Sequence, residues 1–257
     1  MHLTGIQPLV SIITVTMDCG STIGRTLESI QAIKSPDIEY IIIDGLSTDD
    51  TLPIIQCHAG LVDILISEKD SGIYNAMNKG AALATGQYIL YINGDDRVIA
   101  DGFNQAKAIL KCEHPQILSC QAEVILPDET HAGLLKPAPR LLYFFNSIPH
   151  LSTFVSSKLQ KAYKFREDMK IASDYDLFLR LFLSKHRFRV AEVVTATHYR
   201  GGFSSNVERS LFEIRQIKKE RLGMLRYFVV RFIESLHRTR KAMVAQIKGG
   251  RRAPLAK

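Results

Sequence analysis

The feature that most constrains the fold is an alternation, over the first hundred residues, between short apolar runs and longer amphipathic segments. Four runs are almost continuously apolar, as expected for strands covered on both faces: residues 9–16, 38–44, 62–67 and 87–93. The segments between them have helical character: residues 21–33, 47–58 and 72–84. Strands that alternate with helices predict an α/β fold with a Rossmann-like, mostly parallel sheet flanked by helices.

The pattern after Ala100 is less regular, but discrete elements are still indicated. The predicted elements are a helix at 106–112, a strand at 116–126, a helix at 174–185 and a strand at 187–200. A glycine pair, Gly201 and Gly202, then precedes a long basic amphipathic helix. We therefore expect one α/β domain over residues 1–207, followed at 208–257 by this helix and a disordered end.

The bulk composition indicates a globular chain without a membrane-spanning segment. Its 257 residues, 46% of them hydrophobic, are enough to bury a full core. The four cysteines form no CxxC pair, which argues against a zinc site or a disulfide framework and suggests a reducing compartment. The first apolar run has no basic segment before it, so it predicts a strand and not a signal peptide. A cytoplasmic protein is the expectation.

The positive charge is concentrated at the C-terminal end. Residues 211–257 carry thirteen Lys and Arg against three Glu, whereas the rest of the chain carries 20 basic and 23 acidic residues. A basic amphipathic helix of this kind suits an anionic membrane surface, and a helix packed on the preceding domain with a solvated basic face is the alternative. Nucleic acid is not an expected partner, because the body is acidic and aromatic residues for base stacking are few.

Acidic residues follow the predicted strands, at the edge of a parallel sheet where ligands bind. They are Asp18, Asp44, Glu68, Asp70, Asp95 and Asp96. Asp95 and Asp96 repel each other, so the pair needs either open water or a compensating cation. Taken alone, the pair is equally compatible with a helix cap and with a metal site.

Several common site types are not encoded. No GxGxxG follows the first strand, and the chain has no P-loop, HExxH or GxSxG motif. What remains is a carboxylate-lined sheet edge without a basic phosphate cradle. A diphosphate that binds there needs a divalent cation, and Mg²⁺ or Mn²⁺ with oxygen ligands suits the aspartate pair.

Five segments, in this order, resemble family 2 glycosyltransferases, which are inverting enzymes with the GT-A fold. The segments are VSIITVTMD, IIIDGLSTDDT, EKDSGIYNAMNKGAALATGQYILYINGDD, IPHLSTFVSS and ASDYDLFLRL. The resemblance extends over roughly residues 8–205. The segment SGIYNAMNKG resembles the corresponding segment of the bacterial subgroup that builds capsule, colanic acid or O-antigen repeat units.

The resemblance implies a nucleotide and metal site at the sheet edge. NGDD takes the place of the family's DxD-type motif, which makes Asp96 the direct ligand of a divalent metal (Mn²⁺ or Mg²⁺) and Asp95 a ribose or metal contact. Asp44 falls where family members hold the base or ribose, and Thr16 lies on the first nucleotide loop. Asn78 is also assigned to nucleotide binding.

The resemblance also implies the catalytic base. Asp174 in SDYD stands at the position of the family's base, although Ser173 replaces the usual Glu before it. Asp176, two residues later, is expected to face away or to cap the helix.

Four further residues are secondary candidates. His150 matches a position that often lines the acceptor cleft, but a histidine satisfied by backbone hydrogen bonds is an equal alternative. His198 and Arg200 precede the glycine pair and are candidates for contact with the metal or diphosphate, and an ordinary surface pair is the alternative. Ser204 belongs to a glycine-rich loop that is a candidate mobile lid.

These assignments imply an inverting transfer from a nucleotide-sugar donor to a hydroxyl of a saccharide acceptor. The resembling subgroup usually acts on lipid-linked acceptors, so the enzyme is expected on the cytoplasmic face of the inner membrane. Two other functions remain as alternatives: a non-catalytic scaffold with the same fold, and a protein that binds an anionic polymer through the basic tail.

Overall fold

The computed structural model describes the backbone of residues 7–201 and 206–250 and the side chains of residues 7–201 and 206–236. The chain divides into two compact units, residues 1–214 and 215–257. The first unit holds the sheet, and the second holds most of the long C-terminal helix.

The first half of the chain has the strands and helices that the sequence predicts. Its strands are β1 (Val10–Thr16), β2 (Ile38–Asp44), β3 (Ile64–Ser67) and β4 (Tyr88–Tyr91). Its helices are α1 (Ile23–Gln31), α2 (Thr51–Cys57) and α3 (Ile73–Leu83). The four strands pair in parallel in the order β3-β2-β1-β4. Their carboxyl ends therefore meet at one edge of the sheet.

The second half completes a mixed sheet. Its strands are β5 (Arg97–Val98), β6 (Ile117–Ile125), β7 (His131–Leu135), β8 (Thr153–Ser156) and β9 (Phe188–Tyr199). Its helices are α4 (Ala100–Glu113), α5 (Ser157–Ala162), α6 (Ser173–Leu183) and α7 (Val207–Gly250), with two short 3-10 helices at Pro139–Tyr143 and His150–Ser152. β8 pairs antiparallel with β4 and β6, whereas β9 pairs parallel with β6. The predicted α/β sheet flanked by helices is confirmed.

Apolar side chains cover both faces of the central strands, which is why those strands are almost continuously apolar in sequence. All seven residues of β1 and of β2 are buried. Two acidic residues of β2, Glu39 and Asp44, are also buried, and the carboxylate of Glu39 accepts hydrogen bonds from the Thr85 backbone N–H and hydroxyl at 2.8 and 2.7 Å. Because its charge is matched by donors, Glu39 joins β2 to the turn that leads into β4.

Helix α4 approaches the backbone of β9 more closely than any side chain would allow. A Cβ placed on Gly102 would lie 1.8 Å from the carbonyl oxygen of Val194. On α1, by contrast, a Cβ on Gly24 would meet nothing within 4 Å. Glycine is therefore required at 102 by packing and is not required at 24.

Helix α7 changes direction at Gly223. This residue has φ 72° and ψ 159°, so the helical backbone is interrupted there. Lys218 before the interruption donates a hydrogen bond to Glu234 after it at 2.5 Å. In a straight helix, sixteen residues would separate these side chains by about 24 Å. The two parts of α7 therefore fold back toward each other within the C-terminal unit.

The second part of α7 carries a stripe of exposed apolar side chains. We call this the α7 stripe; its members are Leu225, Phe228, Val229, Phe232 and Leu236, all at helical spacing and all at least half exposed. In the described part of the chain, no helix combines the length and apolar character that a bilayer crossing needs.

Replacing Gly102 by Ala is expected to destabilise the protein by about 1–3 kcal/mol, because the added methyl must displace β9 or α4. Gly24→Ala is the matched control and is expected to stabilise it by up to about 1 kcal/mol through helix propensity. Urea unfolding of both variants measures the difference. Equal stability of the two variants would contradict the close approach at Gly102.

Candidate active site

The ends of β1, β2 and β4 bring the predicted site residues together. Thr16 and Asp44, the last residues of β1 and β2, are partners in the parallel register. The loop after β4 joins them, because the N–H of Gly94 donates to the carbonyl of Val15 at 3.3 Å. Asp95 and Asp96 follow in that loop and lead into β5.

The carboxylate of Asp96 is fully buried and only half satisfied. Its Oδ1 accepts a hydrogen bond from the backbone N–H of Tyr199 at 3.3 Å and lies 3.0 Å from Nδ1 of His198. Its Oδ2 is buried without any hydrogen-bond partner. Burying a carboxylate oxygen without a hydrogen-bond donor destabilises the folded state. A positively charged group bound to this atom would therefore stabilise it.

Both burial and the neighbouring carboxylate affect the pKa of Asp95. Burial and the adjacent charge of Asp96 raise the pKa of Asp95 from 3.8 to about 6. The nearby positive groups of His198 and Arg25 oppose that rise without cancelling it. The pair therefore holds more negative charge than the surrounding protein neutralises.

His198 on β9 is part of the same cluster. Burial alone would lower the pKa of its imidazole, but the hydrogen bond to Asp96 and the charges of Asp96 and Asp95 raise it above the ordinary value. The sequence placed His198 among secondary candidates. The structure brings it into direct contact with Asp96, and the fold achieves this by pairing β9 with β5, which follows the aspartates directly.

Helix α1 fixes the backbone of the aspartate loop. Hydroxyl groups of Thr22 and Thr26 donate to the carbonyls of Gly94 and Asp96 at 2.8 and 2.7 Å. The guanidinium of Arg25 donates to the carbonyl of Asp95 at 3.2 Å and stacks on the Tyr199 ring 3.7 Å from its centroid. The loop is thus held through its main chain, which leaves the two carboxylates available.

The two other predicted nucleotide contacts at this edge are also buried. The hydroxyl of Thr16 has no hydrogen-bond partner. The carboxylate of Asp44 accepts from the Ser47 N–H at 3.1 Å, the Ser47 hydroxyl at 2.5 Å and the Ser67 hydroxyl at 2.6 Å. Contact of Thr16 or Asp44 with a nucleotide stays a prediction.

Asp174 lies in the first turn of α6 and is connected to the aspartate loop through His150. Its Oδ2 accepts a hydrogen bond from the Asn146 amide at 2.7 Å and lies 3.8 Å from Nδ1 of His150. The other ring nitrogen of His150 lies 3.4 Å from the Asn93 amide, two residues before Asp95. His150 therefore connects the predicted base with the loop that carries the predicted metal ligands.

Asp176 does not face away from the protein. Its side chain is fully buried and accepts a hydrogen bond from Nε of Arg180 at 2.7 Å, one turn later on α6. Arg180 supplies the charge that lets this carboxylate lie inside, and the expectation that Asp176 faces away from the site or caps the helix stays a prediction. Asp176 pairs within α6, whereas the side chain of Asp174 contacts Asn146 and His150 outside that helix.

Asn75 and Asn78, in the segment SGIYNAMNKG, form hydrogen bonds with other groups of the protein. The amide of Asn78 donates to the carbonyl of Phe165 at 3.0 Å and to Glu167 at 2.9 Å, and its oxygen accepts from the Phe165 N–H at 3.0 Å. Asn75 donates to the same Glu167 at 2.9 Å. Together they fix the segment that precedes α6. A nucleotide contact by Asn78 stays a prediction.

Two candidates lie at or beyond the end of β9. Arg200 is exposed, and its backbone N–H donates to the carbonyl of Ile125 at 2.9 Å. Its positive charge opposes the rise in the pKa of His198 that the two aspartates cause. Ser204 lies outside the described residues, as do residues 202–205 of the candidate lid at 201–206.

The residues at this edge fit a divalent metal that is completed by other ligands. Within the described side chains, no three His, Cys, Asp or Glu form a ready-made metal site. The Oδ2 of Asp96, which is buried without a hydrogen-bond partner, nevertheless offers an oxygen donor, and Asp95 and His198 lie beside it in the same cluster. Mg²⁺ and related ions are commonly held by one or two carboxylates together with water and substrate phosphates.

Comparison with known proteins gives consistent relatives. The sequence profile of Glycosyl transferase family 2 matches residues 11–177. A PGL/p-HBAD biosynthesis glycosyltransferase of Mycobacterium tuberculosis is 30% identical over 226 residues, which are 84% of this chain and 87% of that protein. A putative teichuronic acid biosynthesis glycosyltransferase of Bacillus subtilis is 33% identical over 98 residues, 37% of this chain and 39% of that protein.

Solved structures share the fold at low identity. Residues 1–349 of TarS from S. aureus, in complex with UDP-GlcNAc, superpose with a TM-score of 0.69 at 17% identity, over 83% of this chain and 66% of that one. The mannosyltransferase PcManGT from Pyrobaculum calidifontis, in complex with GDP-Man and Mn²⁺, gives a TM-score of 0.58 at 17% identity, over 89% of this chain and 65% of that one. This chain thus spans slightly less than two thirds of either neighbour.

In metal-free buffer, Asp95→Asn is expected to stabilise the protein at neutral pH by about 3 kcal/mol at most. The pKa of Asp95 is raised from 3.8 to about 6 in the folded state. The free energy of unfolding of the wild type therefore falls as pH rises through that interval. The amide of the variant does not ionise, so the variant avoids this loss. Urea unfolding at pH values across the interval measures the difference in free energy of unfolding between the variant and the wild type, which should grow with pH. A difference that does not change with pH would contradict the raised pKa of Asp95.

Proposed function

The chain belongs to glycosyl transferase family 2, and from that membership we propose that it transfers a sugar from a nucleotide-diphosphate-sugar donor to a saccharide hydroxyl, with inversion. The observation that carries the proposal is the fully buried Asp96, whose Oδ2 has no donor although it lies where the strands end. A buried charge left open at a ligand-binding edge is destabilising unless a ligand completes it.

Asp174 is proposed as the general base. An inverting transfer needs the acceptor hydroxyl to lose its proton as it attacks the anomeric carbon from the side opposite the leaving nucleotide. Asn146 orients the Asp174 carboxylate with a 2.7 Å hydrogen bond, and His150 lies beside it at 3.8 Å. A carboxylate held in this way accepts the proton from a hydroxyl placed next to it, while the pair Asp95 and Asp96 lies toward the leaving group.

Asp96, Asp95 and His198 are the residues proposed to hold a divalent metal, Mn²⁺ or Mg²⁺. When bound, such an ion neutralises the charge that grows on the departing diphosphate. The protein contributes a backbone-anchored loop, through the bonds from Thr22 and Thr26. The presence of Mn²⁺ with GDP-Man in the PcManGT complex supports this choice of cofactor. Arg200 is a further candidate for the diphosphate.

The donor is proposed to be a nucleotide sugar bound near Thr16, Asp44 and Asp95. The two solved neighbours bind UDP-GlcNAc and GDP-Man, respectively, and they support the class of donor without fixing its base or sugar. His150 is proposed to border the acceptor, because it contacts the side chain of the proposed base.

The acceptor is proposed to be a lipid-linked saccharide of a bacterial surface polysaccharide or glycolipid. The relatives named for PGL/p-HBAD and teichuronic acid biosynthesis support this class. The protein is then expected at the cytoplasmic face of the membrane that holds such acceptors. The α7 stripe and the arginines of the same unit suit an anionic bilayer surface.

Donor binding is expected to stabilise the folded protein only when metal is present. At one hundred times Kd, a ligand adds about 2.7 kcal/mol. Melting curves with UDP, GDP and dTDP sugars, with and without Mn²⁺, measure this effect and identify the base. Asp96→Asn should remove the metal-dependent part, whereas Asp101→Asn on the exposed side of α4 should retain it. A metal-dependent shift that survives in Asp96→Asn would contradict the assigned site.

Asp174→Asn is expected to lower kcat for transfer by about 10²–10⁴-fold while donor binding is unchanged, because only the proton acceptor is lost. The assay measures nucleotide release with the donor identified by melting and a membrane lipid extract as acceptor. Full activity of Asp174→Asn would refute the proposed base without affecting the metal site.

The α7 stripe is expected to bind vesicles containing phosphatidylglycerol and not vesicles of phosphatidylcholine alone. Replacing Leu225 and Phe232 by Gln should weaken sedimentation with the anionic vesicles, since both apolar contacts are lost. Leu134→Gln, at an exposed leucine of β7, is the control. Binding should also fall as salt rises. Equal binding of the double variant and the control would argue that the stripe covers another surface.

A further inference from the structure

The turn that leads into α6 is anchored by a carboxylate from a distant part of the chain. Glu213, near the start of α7, accepts hydrogen bonds from the backbone N–H groups of Lys170 at 3.0 and 3.2 Å, Ile171 at 2.9 Å and Ala172 at 3.0 Å. The Glu213 side chain is almost completely buried. All of these residues belong to the first compact unit.

The three donors are consecutive, and together they form a concave anion site made of main chain. Such a series of N–H groups attracts negative charge because each peptide dipole points its positive end inward. Ala172 is the N-cap residue of α6, and its methyl side chain cannot accept a hydrogen bond from the helix. Glu213 thus binds the N–H group of the N-cap residue and those of the two residues before it, as the N3 side chain of a capping box binds the N-cap N–H, whereas a Ser or Asp N-cap side chain accepts from N2 or N3.

Burial tends to raise the pKa of Glu213, but the three backbone donors and Arg209 hold it below its ordinary value. Nε of Arg209 lies 3.2 Å from the carboxylate, and its side chain is half exposed. A pair of this exposure adds little by itself. The main-chain donors are therefore the principal partners of the charge.

The same turn is fixed from its opposite side. The hydroxyl of Tyr74 on α3 donates to the carbonyl of Ile171 at 2.5 Å, so the donor face of this residue binds α7 and its acceptor face binds α3. The hydroxyl of Ser173 accepts from the Arg166 N–H at 2.6 Å. Hydrogen bonds on both sides of the turn therefore fix its backbone immediately before α6 in the sequence.

Asp174 lies two residues beyond Ala172, within the first turn of α6. A helix behaves as a rigid body over one turn, so the direction of its first residues follows the turn that precedes it. We infer that Glu213 is a positioning residue for the reaction: it holds the N-terminus of α6 so that the carboxylate of Asp174 meets the acceptor hydroxyl. This inference rests on the proposed role of Asp174 as base.

Glu213→Gln tests the inference, because it keeps the size of the side chain and removes its charge. Nucleotide release with the lipid-extract acceptor is expected to show kcat reduced by about 10²-fold, the loss typical of a small misplacement of a reacting group. The KM for donor should stay within about twofold, since the aspartate loop is untouched. Glu208→Gln, an exposed position on the same helix, is the control and should behave as wild type.

A double-mutant cycle with Asp174→Asn separates positioning from general weakening of the fold. If Glu213 acts through Asp174, adding Glu213→Gln to Asp174→Asn should leave the residual rate unchanged. A further fall of about 10²-fold in the double variant would overturn the inference, because Glu213 would then act independently of the base. A wild-type rate in the Glu213→Gln single variant would overturn it as well.

Hydrogen exchange makes the test independent of turnover. Amides 170–176 should exchange faster in Glu213→Gln than in wild type and Glu208→Gln, whereas amides of the aspartate loop should not change. Unchanged exchange at 170–176 would overturn the inference even if the rate falls. If wild type transfers no sugar from any donor, the proposed function fails, and the exchange result still decides whether Glu213 holds the turn.

Discussion

The organisation of the site depends on one buried charge that the protein itself does not fully neutralise. Asp96 has no solvent exposure, one bonded oxygen and one oxygen without a donor. Burying an ionised carboxylate is costly, and proteins normally offset that cost with paired charges or hydrogen bonds. Here the offset from His198 and the Tyr199 N–H is partial, and Asp95 adds further negative charge. The arrangement persists because hydroxyl groups of Thr22 and Thr26 fix the loop through its main-chain carbonyls.

The proposed base is held by a different kind of contact. Asp174 follows a turn whose main-chain atoms are bound from two helices, by Tyr74 of α3 and by Glu213 of α7. The aspartates proposed to bind the metal thus follow strand ends, and the proposed base lies at a helix end. His150 lies between them and contacts residues of both.

The fold and the aspartate cluster could be predicted because parallel strands must end at one edge, so polar residues after buried runs reveal the ligand side. Short strands such as β5, β7 and β8 have too few residues to show periodicity, and the pairing of β9 with β5 that brings His198 to Asp96 was therefore not predictable. Asn78 and Glu213 illustrate another gap. Their partners are largely backbone atoms, and backbone donors and acceptors are the same at every position of a sequence.

Gly223 has a consequence for how the C-terminal unit meets any partner. Its left-handed φ lets the chain turn back, and the bond between Lys218 and Glu234 holds the returning helix in place. The apolar side chains of the α7 stripe are therefore already assembled on one face before a partner arrives. A surface that binds them does not have to supply the free energy for ordering this segment, so its affinity reflects contact area and charge, with little conformational entropy left to lose on association.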